Sequence, residues 1–415
     1  MFPGTTADWF CQPISLSAPQ LSAAWLNTRI EGGTTVTAMG ERVLVVGGTG
    51  PTGLPLLRGL VARGHQVTIL HRGLHEHDET PASVTHLHAD PYNVSSLGDA
   101  LGSQTFDATV VMYGRLRRVA ELMVGRTGRF LSVGGVPAYR GWMNPWSFEP
   151  RGLPVPTAEN APTVELSTED EKGFRIVHTE RAVFESHPAA AHVRYPYVYG
   201  PHQLAPREWC VVRRVLDDRR RIVVADDGLT LHHHGYTENL AESLLLAIDQ
   251  PDAAAGKIFN VGDTEVLTVR QVVELICAEL DHEIEIVSMP FDIATPALPM
   301  LTQPANTHRV LDLGRIVNDL GYRDVVPARQ AVGLTARWLV NHRPAPGGVE
   351  ETVLTDPFDY AAEDALIDAW TGLRASMSSL MSSAAWTREP VGTPGYGLAY
   401  SGPGGRPRSK KEFIE

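Results

Sequence analysis

Cysteine is scarce in this chain: three occur among 415 residues, at Cys11, Cys210 and Cys277. They stand apart, without the pairing of a disulfide scaffold or the spacing of a zinc site, so a reducing compartment is expected. Long apolar runs are missing too. No stretch approaches the roughly eighteen residues that would span a bilayer, and the N-terminus lacks the basic start and apolar run of a secretory leader, so a cytoplasmic protein is expected. Positive charge is in deficit, with 36 Lys and Arg against 48 Asp and Glu, a net charge of -12. That balance argues against nucleic acid or an anionic membrane as the main partner, whereas a small anionic ligand needs only local positive charge. What remains, 43% hydrophobic and 20% charged residues, is enough to bury a full core as one large domain with a smaller one.

Residues 1–38 show no sustained period and are expected to form a poorly ordered extension, with Met39 a candidate start of the fold. From Arg42 the pattern sharpens into a strand Val43–Val46, a glycine turn, a helix Leu54–Arg63 ending at Gly64, and a strand Val67–Leu70. Further apolar runs follow at Val84–His88, Ala108–Met112, Arg129–Val133, Ala191–Tyr195 and Lys257–Val261. Short apolar runs alternating with helices predict an α/β fold, a doubly wound parallel sheet of about seven strands. The expected domains are a dinucleotide-binding unit over 39–262 and a smaller substrate lobe over 263–345, with 201–256 contributing partly to that lobe. Helices are expected at Val269–Leu280 and Ala328–Asn341, and a short strand at Glu283–Val287. A C-terminal extension covers 346–415, with a helical patch at Tyr360–Ser383 and disorder expected from about 387.

The turn Gly47-Gly48-Thr49-Gly50-Pro51-Thr52-Gly53 spaces its glycines G-x-x-G-x-x-G between a strand and a helix. Glycine permits the tight turn and the close approach of backbone N–H groups to a pyrophosphate, and the helix N-terminus adds partial positive charge. The end of the second strand selects the cofactor. An acidic residue there would accept from a ribose 2′-hydroxyl, whereas an arginine would pair a 2′-phosphate. His71-Arg72-Gly73 occupies the position, so NADP is favoured and NAD stays open.

Several landmarks in order complete a pattern: the glycine turn, Asp90-Pro91 after the third strand, Arg194-Tyr-Pro-Tyr-Val-Tyr-Gly-Pro201, Phe259-Asn-Val-Gly262 and Arg309-Val-Leu-Asp312. Over roughly 42–342 the chain resembles the extended short-chain dehydrogenases/reductases, the group of nucleotide-sugar epimerases and dehydratases. The resemblance implies a Rossmann fold with Asp90 near the adenine, Met112-Tyr113-Gly114 lining the nicotinamide ribose, and Pro196 and Tyr197 near the carboxamide. The catalytic triad of that group is absent. Gly135 stands where Ser or Thr should be, Lys172 replaces the tyrosine and Ile176 the lysine, and no Tyr-x-x-x-Lys occurs anywhere in the chain. The sequence is also similar to atypical members, relatives of the chloroplast stem-loop-binding proteins, through Pro206-Arg-Glu-Trp209.

The catalytic candidates are therefore Lys172 and Tyr139, with His178 as a weaker one. His232-His233-His234 offers at most two ligands to one face of a strand, and no metal site is expected there. Trp142, Trp146 and Phe148 could cap an apolar substrate or simply pack a long loop. The reading is an atypical NAD(P)-dependent oxidoreductase or epimerase acting on a small metabolite, with a homodimer left open. Its rivals are a non-catalytic NADP-binding sensor or scaffold and, more remotely, an RNA-associated protein.

Overall fold

The computed structural model describes residues 40–73, 76–90, 92–112, 115–302 and 305–383. The expected extension 1–38, Pro91, Tyr113, Gly114 and the tail from about 387 lie outside the described residues.

The chain opens with β1 (Arg42–Val46), α1 (Gly53–Ala62), β2 (Gln66–His71), β3 (Thr85–His88), α2 (Val94–Leu101), β4 (Phe106–Val111) and α3 (Leu116–Met123). β5 (Thr127–Gly135), α4 (Glu171–Ser186), β6 (Ala191–Tyr195), β7 (Tyr197–Tyr199), α5 (Trp209–Leu216) and β8 (Arg221–Ala225) follow. Next come β9 (His234–Tyr236), α6 (Thr237–Asp249), α7 (Pro251–Ala254), β10 (Ile258–Asn260), α8 (Val269–Glu279) and β11 (Glu285–Met289). The described chain ends with α9 (Gly314–Leu320), α10 (Ala328–Asn341), α11 (Val349–Leu354) and α12 (Tyr360–Ser383).

The expected apolar runs form one parallel seven-stranded sheet in the order β10-β6-β5-β4-β1-β2-β3. Its strands read as continuous apolar runs because both faces are covered. Along β1, Val43 and Val45 enter one core with Leu56, Leu60, Leu240 and Leu244 from α1 and α6. Leu44 and Val46 point the other way, into a core with Leu97, Val119 and Val183 from α2, α3 and α4. The strand order reverses between β1 and β4, so their carboxyl ends open a crevice where doubly wound folds bind ligands.

A second core gathers α5, β8, α8, β11 and α10, with β8 and β11 paired parallel as a small sheet. α8 starts at Thr268 through a capping box: its hydroxyl accepts from Gln271 N–H at 3.1 Å, and its own N–H donates to Gln271 Oε1 at 2.9 Å. The segment after 346 packs onto this core too, since Leu354 and Ile367 are buried in it. No helix among the described residues is long and apolar enough to cross a membrane.

Candidate active site

The glycine turn sits at the carboxyl end of β1, beside the topological switch. Gly47 and Gly48 adopt φ of 95° and 76°, the left-handed region that glycine enters freely. Gly53 is fixed by contact: a Cβ there would lie 1.9 Å from the Gly48 carbonyl oxygen, so only glycine lets α1 pack this tightly on the turn. At Gly50 a Cβ would meet nothing within 4 Å, which leaves the exposed middle of the turn open to a ligand. No side chain caps the N-terminus of α1. An open glycine turn feeding an uncapped helix start fits an anionic phosphate group. Thr49 and Pro51 are half-buried and Thr52 is buried.

Beyond β2, Arg72 is exposed next to Gly73. His71 is buried, its Nδ1 accepting from Gly73 N–H at 3.1 Å and its Nε2 lying 3.0 Å from His86 Nδ1. The segment that follows folds back over the glycine turn, where His77 Nε2–H donates to the Thr49 carbonyl at 3.1 Å and its ring packs 4.2 Å from that of His202. Asp90 is exposed and accepts from Tyr92 N–H at 3.0 Å. Pro196 is buried and Tyr197 half-buried between β6 and α5.

Of the three positions that the resemblance aligns with its catalytic residues, Gly135 and Ile176 lie close together. A Cβ on Gly135, the last residue of β5, would lie 3.9 Å from Ile176 Cδ1, so α4 brings its Ile176 turn to the strand end as the resemblance implies. Lys172 sits one turn earlier on the same helix face and is exposed. Tyr139 requires a correction as a proton-transfer group: it is 1% exposed and its hydroxyl donates to Asn260 Oδ1 at 2.6 Å. The Arg194 guanidinium lies 4.6 Å over its ring, and burial raises its pKa above the ordinary phenol value. A hydroxyl committed this way cannot reach a substrate without opening the core. His178 is exposed on α4, edge-on to Phe174 at 4.5 Å.

A buried network beneath the same strand end is not apparent from local sequence. Ser132 Oγ lies 2.7 Å from His192 Nδ1, His192 Nε2 lies 3.2 Å from Glu180, and Arg194 donates to both Glu180 oxygens at 2.9 and 2.7 Å. Burial alone would raise Glu180, but the hydrogen bonds from Arg194, with His192 close by, hold its carboxyl down at about 2. The order of groups is that of a nucleophile triad, yet Ser132 and His192 have no exposed surface, so it locks β5, β6 and α4 together. Gly134 makes room for it, since a Cβ there would sit 2.4 Å from His192 Nε2.

The histidine run also serves the fold. His232 is held at about 3 by burial and by the neighbouring Arg309, and its Nδ1 lies 2.9 Å from Thr302 Oγ1. His233 is held at about 4 by burial, donating to the Asp263 carbonyl at 2.9 Å and accepting from Leu311 N–H at 3.0 Å. Trp142 packs in a small core with Tyr139 and Leu311, whereas Trp146 is exposed.

No protein-family model matches the chain. Among solved structures it superposes on a UDP-galactose 4-epimerase with a TM-score of 0.54 and 16% identity, over 73% of this chain and 100% of that one. It superposes on Bordetella bronchiseptica WbmG in complex with NAD with a TM-score of 0.56 and 16% identity, over 78% and 99% of the two chains. The chain carries the extended short-chain dehydrogenase/reductase fold. Curated sequences match parts of the chain as well. Arabidopsis thaliana UDP-D-apiose/UDP-D-xylose synthase 2 is 28% identical over 131 residues, 31% of this chain and 34% of that protein. The uncharacterised Escherichia coli protein YbjS is 25% identical over 174 residues, 36% of this chain and 49% of that one. The Arabidopsis chloroplast stem-loop binding protein of 41 kDa b is 25% identical over 246 residues, 55% and 60% of the two chains. This chain thus spans about half or less of the length of the first two relatives. On this fold the glycine turn lies at the carboxyl end of β1, where the strand order reverses.

Proposed function

We propose that the chain is an atypical NAD(P)-dependent oxidoreductase or epimerase acting on a small polar metabolite. The observation that carries this reading is the glycine turn: left-handed at Gly47 and Gly48, packed without a Cβ at Gly53, open at Gly50, and leading into an uncapped helix at the switch point. Gly47, Thr49, Gly50, Pro51, Thr52 and Gly53 would hold the pyrophosphate. Asp90, with Pro91, would meet the adenine, and Tyr113, Gly114 and Pro196 the nicotinamide side. Arg72, with His71 behind it, favours a 2′-phosphate and hence NADP over NAD. When bound, the nicotinamide supplies hydride transfer. With Tyr139 engaged, Lys172 is the proton-transfer candidate left at the strand end. It is exposed on the α4 face that carries Ile176, within the reach of a flexible four-carbon side chain. Solved neighbours include WbmG with NAD and UDP and a Thermotoga maritima UDP-glucose 4-epimerase with UDP-glucose, which supports a nucleotide-linked sugar as the first substrate class to test.

The test is calorimetric titration of the purified chain with NADPH and NADH, followed by turnover assays against nucleotide sugars and small carbonyl metabolites. Saturable NADPH binding with turnover of at least one substrate is expected. Absence of dinucleotide binding would overturn the cofactor reading, and tight binding without turnover across the panel would overturn the enzymatic one.

A further inference from the structure

Three histidines and a glutamate, of which only His71 adjoins the proposed cofactor site, converge along β2 and β3. His71 closes β2, and His86 and His88 lie two apart on β3, so their side chains leave the same face of the strand. The parallel register sets His71 opposite His88. Glu76 reaches in from the segment between the strands. One ligand atom from each of the four residues falls in a group with no separation above 4.8 Å. His71 Nε2 and His86 Nδ1 are 3.0 Å apart, and Glu76 Oε1 lies 2.9 Å from His88 Nε2, 3.7 Å from His71 Nε2 and 4.0 Å from His86 Nδ1. Ligands on a tetrahedral zinc, with bonds of about 2.0–2.2 Å, stand roughly 3.3 Å apart, so these separations bracket the required ones.

We propose that Glu76, His86, His88 and His71 form a binding site for a zinc-class divalent cation. Three borderline imidazole nitrogens beside a single hard carboxylate suit zinc, cobalt or nickel rather than calcium or magnesium. The ligands are not equivalent. His86 Nδ1 faces the cluster but accepts from His71 Nε2–H, while His88 and Glu76 are exposed enough to turn toward an ion, with side-chain exposures of 58% and 44%. His71 is more constrained: Gly73 N–H donates to its Nδ1, so its ring proton sits on Nε2. To ligate, His71 must move that proton to Nδ1 while Gly73, at φ +73°, turns its amide away. Glu76 and His88 are therefore the first ligands, and the same proton shift frees His86 Nδ1 and His71 Nε2 to complete the set. The ion would cross-link two strand ends to the segment whose next residue, His77, hydrogen-bonds the glycine turn and whose Glu79 pairs with Arg58 of α1.

The untagged full-length chain, stripped with a chelator and dialysed, is titrated with zinc by calorimetry and with cobalt by visible absorption. One ion per chain and a tetrahedral cobalt spectrum are expected. His86→Ala with His88→Ala should weaken zinc by more than the about 10–100-fold that loss of an outer-shell partner costs. Glu76→Gln, an exposed change that circular dichroism can show to be folded, should remove the tetrahedral cobalt bands, whereas His342→Ala, outside the cluster, should leave binding unchanged. No binding by the parent chain, an octahedral cobalt spectrum, or equal affinity in parent and double variant would overturn the site.

Discussion

Arg72 and Lys172 are exposed side chains with distinct tasks in the proposed chemistry, so each has its own readout. Arg72→Asp replaces a phosphate partner by an acceptor suited to a 2′-hydroxyl, and it is expected to weaken NADP far more than NAD in calorimetric titration; equal losses would remove the assignment. Lys172→Met should lower turnover by about 100-fold or more with NADP affinity nearly intact, the size of a lost general acid or base. Tyr139→Phe should instead lower the melting temperature with little effect on turnover, because it deletes a buried hydrogen bond to Asn260. Glu208 belongs to the fold in another way. It is 6% exposed with Oε2 unpartnered, and burial pushes its carboxyl up to about 7. A raised value means that the folded state holds the proton more tightly than the unfolded one. The associated stability is complete below the ordinary carboxylate range and is lost as pH rises through about 7. Glu208→Gln keeps the neutral form at every pH, so its melting temperature should match the parent's at pH about 4 and exceed it by several degrees at pH about 8. Parallel pH curves for the two proteins would refute this account.

Single elements explain why the segment after 346 behaves as part of the fold. α5 sends Arg214, 2% exposed, to Asp356 at 2.7 Å and to Glu363 at the start of α12 at 3.2 Å. Trp209 and Arg213 of the same helix both donate to Glu351 of α11. Arg219 and Arg221 pair with Asp364 at 2.7 and 2.8 Å. The buried ion triad is fragile because removing the cation strands two carboxylates away from water. Arg214→Ala is therefore expected to cost about 3–5 kcal/mol in urea unfolding, whereas Arg221→Ala, on a more exposed pair, should cost about 1 kcal/mol or less. Similar losses in both variants would show that α12 is not held by the Arg214 cluster. A groove of about 720 Å³ lined by Arg270, Ser288, Trp370 and Arg374 lies between α12 and β11, within the second core's surface and apart from the glycine turn.

At the scale of the molecule, the described residues from Gly40 carry both faces of the sheet and the second core. A chain shortened to 40–383 is accordingly expected to keep the NADP affinity of the full chain. A marked loss in titration would assign a binding role to residues outside that range. Much of this architecture was legible in advance. Continuous apolar runs such as Val43–Val46 mean strands buried on both faces, and helical periodicity marked α8, α10 and α12 closely. The glycine turn was legible because its constraint is local: strand, turn and helix are consecutive, and backbone conformation alone demands the glycines. Three features were beyond the sequence reading: the commitment of Tyr139 to Asn260, the Ser132–His192–Glu180–Arg194 network and the His71–Glu76–His86–His88 cluster. Each joins residues from separate elements, and no spacing rule connects them. The sequence by itself determined the strand order's raw material and the glycine turn between β1 and α1, because each is set by local periodicity or by residue identity. Which side chains are buried, which carboxyls titrate away from their usual range and which histidines meet was decided only by the tertiary structure, because desolvation and ligand geometry arise when distant segments share one volume.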